Sequence, residues 1–297
     1  MGLKSFWLGE ALAVLNSKFY IDGVDKVHGL WTVMILLFCS AIITSSHYFG
    51  WPIHCWLPAE FQDKPGWREY VETFCFVHNT YYVPVQSDLP TNLRVEVTYY
   101  QWIPLVLLLQ AFCFYLPIFL WESALSSYGI DLQFCREKML SSREAAPIVR
   151  RQELHSLAGY LVQVMKDAKA ERPYFLAACY LAVKVLEVGN VAAQLFLIYL
   201  FLGGSAVELL LERNLAFLTE PSLSVWRYTG LFPRVTFCDF AIKVDSLSPA
   251  NVRHYTVQCT LAANVVNEKI YTFLWFWCSG LVAFSIAALA YSLSSPW

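Results

Sequence analysis

The sequence predicts an all-α membrane protein with four transmembrane helices, a small disulfide-stapled extracellular cap and a helical cytoplasmic loop. Three observations carry this. The 297 residues are 57% hydrophobic and only 15% charged, whereas soluble domains carry roughly a quarter charged residues. Four apolar runs reach the roughly 20 residues that cross a bilayer at 1.5 Å per residue. Between those runs the cysteines fall into matched pairs.

Residues 1–29 open the chain as a cytoplasmic amino-terminal helix, with Leu3, Trp7, Ala11 and Val14 at helical spacing. No secretory leader is expected, because the first apolar run is too long for a signal-peptide core and lacks a small-residue cleavage site. Phe6 stands where a myristoylation motif wants Ser or Thr, which argues against lipidation at Gly2. The four spans are expected at 30–49, 102–121, 174–202 and 270–293. Pro104 and Pro117 interrupt the second and predict kinks there. Trp31, Tyr48, Trp102, Trp121, Tyr174, Tyr271 and Tyr291 sit near span ends, where amphipathic rings favour the interface.

Orientation follows from the Lys and Arg count of the connecting segments. Residues 122–173 hold eight, 50–101 hold three and 203–268 hold five. Positive residues are retained inside, so 122–173 is a cytoplasmic loop, 50–101 and 203–269 are extracellular, and both termini, including the short end 294–297, are cytoplasmic. The net charge of -2 excludes a nucleic-acid partner, which needs a concentrated basic surface. The sequence shows no nucleophile–base pair, phosphate loop, paired membrane-facing carboxylates or inverted repeat, so neither an enzyme nor a carrier is expected, and no cofactor or metal.

Cys55 and Cys75 lie in the first outer loop, and Cys238 and Cys259 in the second. In an oxidising compartment these four predict two disulfides, with three pairings open. The alternative is a metal site using Cys75 and His78, with His54 beside Cys55; matched pairs favour the disulfides. Cys39, Cys113, Cys179 and Cys278 lie in spans as small packing residues, and Cys135 is cytoplasmic. The chain carries no Asn-x-Ser/Thr sequon, so the outer face is expected to be bare, as close docking requires, although many outer loops lack sequons without docking.

Three polar sets stand out. Thr32, Ser40, Thr44 and His47 share one face of the first span and suit either a water-lined pore or close helix packing. Lys184, Glu187, Asn190 and Gln194 share one side of the third span; Lys184 and Glu187, three apart, can pair. Ionisable groups at membrane depth face protein or water, and an interhelical structural role is the expectation. Phe6, Trp7 and Glu10 would form a constriction if the amino-terminal helix enters a pore, with Glu10 favouring cations. If that helix instead lies on the membrane, Trp7 touches lipid.

Tyr99-Tyr100-Gln101-Trp102 at the mouth of the second span resembles the signature tetrapeptide of the innexins, the invertebrate gap-junction proteins related to pannexins. The pattern continues through Gln110-Ala111-Phe112, Tyr115 and Pro117. The first outer loop is similar in Pro52-Ile53, Cys55-Trp56, Pro58-Ala59-Glu60-Phe61, Cys75, Asn79-Thr80-Tyr81 and Val83-Pro84. The second is similar in Phe232-Pro233-Arg234-Val235, Cys238-Asp239-Phe240, Tyr255-Thr256-Val257-Gln258-Cys259 and Asn267-Glu268-Lys269, leading into Phe273-Leu274-Trp275-Phe276-Trp277. Two cysteines per outer loop, rather than three, separate the pattern from connexins.

The resemblance implies pairing of Cys55 with Cys259 and of Cys75 with Cys238. It implies a homo-oligomeric or hetero-oligomeric ring of six to eight subunits in the plasma membrane, contacting lipid, with the amino-terminal helix folded into the pore mouth. It further implies head-to-head docking with a channel in the adjacent cell at a gap junction. An undocked hemichannel, or a non-conducting subunit that modifies full-length innexins, are the alternatives. The family usually carries a sizeable tail after the fourth span, of which this sequence has almost none, and a longer middle loop; the two readings of this are a loss of gating or trafficking contacts and a truncated product.

Overall fold

A backbone inside hydrocarbon must satisfy its own hydrogen bonds, and a helix does so within one segment. Among the described residues of the computed structural model, four helices are long and apolar enough to cross a membrane: Gly23–Tyr48, Ile103–Ser127, Phe175–Ile198 and Ala263–Ser294. The structure describes residues 22–48, 50, 52–62, 65–78, 80–83, 94–171, 174–202, 232–243 and 252–294. Phe6, Trp7 and Glu10 lie outside the described residues.

In chain order the elements begin with α1 (Gly23–Tyr48), β1 (His54–Trp56), α2 (Ala59–Gln62), α3 (Pro65–His78), β2 (Thr80–Tyr82) and β3 (Val95–Val97). They continue with α4 (Ile103–Ser127), α5 (Leu132–Glu144), α6 (Pro147–Glu171), α7 (Phe175–Leu202), β4 (Val235–Lys243), β5 (Val252–Thr260) and α8 (Ala263–Ser294). The mostly helical, four-span class holds. Within it the cap adds a five-stranded sheet, which the all-α expectation did not include.

Helix ends follow local chemistry. Asp22 caps α1, its carboxylate accepting from Val24 N and Asp25 N at 2.9 Å each. The helix therefore starts ahead of the uncharged run at Leu30. A π-helical turn at Val27–Thr32 interrupts it. Pro104 falls in the first turn of α4, where a missing N–H costs nothing, so only Pro117 lies inside that helix. At the far end of α4, Gly129 takes φ 90°, with Gly129 N bonded to Ser126 O and Ile130 N to Leu125 O. This is the left-handed stop that glycine tolerates best.

The chain divides into two compact units. One contains Met1–Ile35, Gln110–Ala193 and Ser279–Trp297. Its loop 122–173 is the antiparallel pair α5 and α6, joined through Ala145 and Ala146 and pinned where Glu153 meets Lys138 at 3.1 Å and Ser141 at 3.1 Å. Tyr160 Oη accepts from Asp131 N at 3.0 Å and donates to Gly129 O at 3.3 Å, closing the base of the hairpin.

The other unit contains Leu36–Leu109 and Gln194–Cys278. Its centre is an antiparallel sheet of order β1-β5-β4-β2-β3, in which β4 and β5 pair from Val235↔Thr260 to Lys243↔Val252. Side chains alternate across a strand. Cys238, Phe240, Val257 and Cys259 therefore share one face, where they pack with Val71 and Cys75 of α3 in a single buried cluster. Phe237, Asp239, Thr256 and Gln258 share the opposite face.

Candidate pore and cap elements

The cap is held by two disulfides, Cys55–Cys259 and Cys75–Cys238, closing sequence separations of 204 and 163 residues. This is the pairing that the resemblance implies. Register explains the first, since Cys55 lies directly opposite Cys259 in the β1–β5 pair. The second fastens α3 to β4. The sulfurs of Cys55, Cys75 and Cys259 lie within 4.8 Å of one another, but bonded sulfurs are not the thiolates that a metal needs. His54 faces Glu72 at 3.8 Å, and His78 stacks on Phe74.

The tetrapeptide Tyr99 to Trp102 turns out to be a clamp. Tyr100 Oη donates to Phe76 O at 2.9 Å, and Gln101 Nε2 donates to Phe76 O at 2.6 Å and Val77 O at 3.1 Å. These are carbonyls at the end of α3, which the helix cannot satisfy itself. Burial pushes the Tyr100 hydroxyl up to about 12, although hydrogen bonds with Gln101 and Thr80 oppose the shift. It therefore stays a donor. Burial likewise raises the Tyr99 hydroxyl, and its ring meets Phe232 edge-on. Trp102 is exposed, as an interfacial ring would be.

The motif Asn267-Glu268-Lys269 makes a second clamp. Buried Glu268 holds Arg234 at 3.0 Å and Lys269 at 3.2 Å. Asn264 Nδ2 donates to Pro233 O at 3.0 Å. Together they fix the strand that enters the cap to the helix that leaves it.

On the outer sheet face, Asp239 accepts from Thr256 at 2.7 Å, Tyr81 at 3.0 Å and Arg94 at 2.8 Å. Arg94 also lies over the Tyr81 ring, 4.8 Å from its centroid. Partial burial would raise the Asp239 carboxyl, but these donors and the Arg94 charge outweigh it and hold the group below the ordinary range.

The polar residues of the spans separate into distinct placements. Thr32 is buried and donates to Val27 O at 2.9 Å, inside the π-helical turn. Ser40 is buried and donates to Pro104 O at 3.1 Å. Both positions fit the helix-packing option. Thr44 and His47 are half-buried, and His47 packs edge-on against Phe76 at 5.4 Å. Lys184, Glu187 and Gln194 are buried, and Asn190 Nδ2 donates to Cys113 O at 3.2 Å.

Lys184 meets Glu187 at 3.6 Å, and also Asp22 at 2.7 Å and Asp25. The two aspartates were missed as partners in the sequence, although an intramembrane lysine demands carboxylates and Asp22 and Asp25 bracket the start of α1. Burial alone would raise the Asp22 carboxyl, but the Lys184 hydrogen bond, an Asp25 backbone N–H and the lysine charge hold it below the ordinary range. His28 joins this neighbourhood of α1, bonded to Ser285 of α8 at 2.8 Å.

The Innexin family model matches residues 22–295. Innexin-3 of Caenorhabditis elegans is 33% identical over 288 residues, covering 91% of this chain and 66% of its own length. Innexin unc-9 of the same organism is 32% identical over 304 residues, covering 95% of this chain and 76% of its own. Innexin-10 is 30% identical, covering 95% of this chain and 54% of its own. The chain thus spans under two thirds of Innexin-3 and about half of Innexin-10.

Proposed function

The chain belongs to the innexin family, and from that premise we propose that it is a subunit of an oligomeric large-pore gap-junction channel. In this reading it passes ions and small metabolites between adjoining cells, in a ring of six to eight subunits docked head to head. The observation that carries it is the stapled cap. Among the described residues, two disulfides and a five-stranded sheet join segments of the two loops of the cap unit to one another. Long loops without such cross-links would lose too much entropy to hold a docking shape.

The charge bias of the loops sets this cap outside the cell, where disulfides persist, and both termini inside. In this reading Phe6, Trp7 and Glu10 are the candidate gate residues, and Thr44 and His47 remain candidate pore-lining residues. Thr32 and Ser40 take the packing role instead, because their hydroxyls are engaged by backbone carbonyls. Lys184, Glu187, Asn190 and Gln194 hold helices together.

The deciding experiment is expression in paired cells with simultaneous recording of junctional current and dye transfer, and of dye uptake by single cells. Transfer between cells supports the junctional channel. Uptake without transfer indicates a hemichannel. Silence in both, with co-purification of a full-length innexin, indicates a non-conducting partner subunit.

A further inference from the structure

Residues 122–173 hold six serines, and Ser141 is the one with a Lys or Arg three positions before it. Lys138 stands there, Arg136 two positions further back and Arg143 two positions after the serine; Glu137 and Glu144 are the acids of the stretch. A cation on each side of a hydroxyl, three before and two after, is a charge pattern that a kinase with an acidic substrate groove selects. The fold exposes this serine and buries its neighbour. Ser141 is exposed, whereas Ser142 is 5% exposed and donates to Met139 O at 2.9 Å. Ser141 also lies in the last turn of α5, which ends at Glu144, and a terminal turn opens at little cost to enter such a groove.

Ser141 Oγ donates to Glu153 Oε2 on α6 at 3.1 Å, and Lys138 Nζ meets the same oxygen at 3.1 Å. The hydrogen bonds from Lys138 and Ser141 hold the Glu153 carboxyl below the ordinary range, so it is an anion at neutral pH. Among the described residues, Lys138 is the one cation paired with Glu153. A phosphate on Ser141 would add about 1.5 to 2 negative charges and leave no hydroxyl proton to give Glu153. It would repel that carboxylate and draw Lys138, three residues back on the same helix face, away from it. It would also stand at the carboxy-terminal end of α5, the end that disfavours an anion. The base of the hairpin is held separately, by Tyr160 against Asp131 and Gly129 and by Phe134 edge-on to the Tyr160 ring.

We propose that Ser141 is a phosphorylation site for a serine kinase that selects basic sequences, and that the phosphate unfastens the tip of the α5–α6 hairpin while its base stays closed. Ser141 Oγ attacks the γ-phosphorus of ATP. The new O–P bond forms as the bond from that phosphorus to the oxygen kept by ADP breaks, and the hydroxyl proton passes to the kinase's catalytic carboxylate. The site rests on the reading that places 122–173 inside the cell, where ATP and kinases are.

The test incubates the full chain, purified in detergent, with protein kinase C and Mg²⁺–ATP, and locates phosphate by fragment-ion mass spectrometry. Phosphate is expected on Ser141 and is lost in Ser141→Ala, which keeps the Lys138–Glu153 pair; phosphate on Ser142 or Ser156 alone, or none, overturns the site. Lys138→Gln should lower the rate of labelling by about tenfold or more, the loss of one close charge contact. That variant also releases Ser141 from the pinned tip, so an unchanged or faster rate shows that access alone governs labelling and overturns recognition by charge. Hydrogen exchange of the phosphorylated chain should rise at 138–153 and stay unchanged around Tyr160. Protection kept at the tip, or lost equally at the base, overturns the unfastening. Sealed vesicles separate the site from the topology beneath it. Labelling of inside-out vesicles alone supports both, whereas labelling of right-side-out vesicles alone overturns the cytoplasmic placement and leaves Ser141 a kinase substrate only in the test tube.

Discussion

Lys184 on α7 and Asp22 at the cap of α1 form an ion pair at 2.7 Å, with the lysine side chain only 1% exposed. The same ammonium meets Asp25 and Glu187. One side chain thus ties the N-cap of α1 to α7. Removing a single partner from a buried ionic group leaves the others uncompensated, at a cost of about 3–5 kcal/mol. Lys184→Met is therefore expected to lower the thermal midpoint of the purified protein sharply, read by loss of the monodisperse peak on size-exclusion chromatography after heating. Adding Asp25→Asn should recover part of the loss. Equal midpoints for Lys184→Met and wild type would show that the cluster contributes nothing.

The two disulfides should respond unequally to single substitutions. Loss of either is expected to cost about 2–5 kcal/mol. Cys238→Ser leaves the Cys75 thiol within 4.8 Å of both sulfurs of the Cys55–Cys259 bond, a position from which thiolate attack proceeds. Non-reducing peptide mapping should then find Cys75 bonded to Cys55 or Cys259. In Cys75→Ser the Cys55–Cys259 bond should stay intact, with Cys238 free to maleimide. Identical maps from the two variants would contradict this.

Gln101 bonds two carbonyls at the end of α3, whereas Tyr100 bonds one of the same two. Gln101→Leu leaves Val77 O without its side-chain donor and should destabilise the cap by about 1–2 kcal/mol. Hydrogen exchange should rise at the last turn of α3 before it rises in β4. Unchanged protection there would show that the tetrapeptide is not a clamp.

The lowered carboxyl of Asp239 ties cap stability to pH. A carboxyl whose folded value lies below its unfolded one stabilises the fold above the ordinary 3.8, and that contribution is lost as pH falls through the folded value. Tryptophan fluorescence between roughly pH 5 and pH 2 should show wild type losing stability relative to Asp239→Asn, which lacks the titrating group. The effect is small because Arg94 and Asp239 are both substantially exposed. Parallel pH profiles for the two proteins would remove Asp239 from the account.

Glu10→Gln tests the pore mouth. If the amino-terminal helix lines the pore, the substitution shifts the reversal potential under a salt gradient towards weaker cation preference. An unchanged potential places that carboxylate outside the ion path.

The sequence by itself determined the four spans, because bilayer thickness dictates a run length that composition reveals directly. It also determined which cysteines are available for bonding and, through ordered short motifs, the family. The Lys184–Glu187 pair was legible as well, since three residues along a helix bring two side chains together whatever surrounds them. Only the tertiary structure decided that Asp22 and Asp25 complete that cluster across a sequence distance of about 160 residues. It decided too that Thr32 and Ser40 spend their hydroxyls on carbonyls, and that the cap is a sheet whose register sets Cys55 opposite Cys259. Local sequence carries no record of which distant strand or helix will lie alongside it. Tyr100 and Gln101 show the same limit: their spacing marked a family, but the carbonyls of Phe76 and Val77 that they bond were brought to them by the fold.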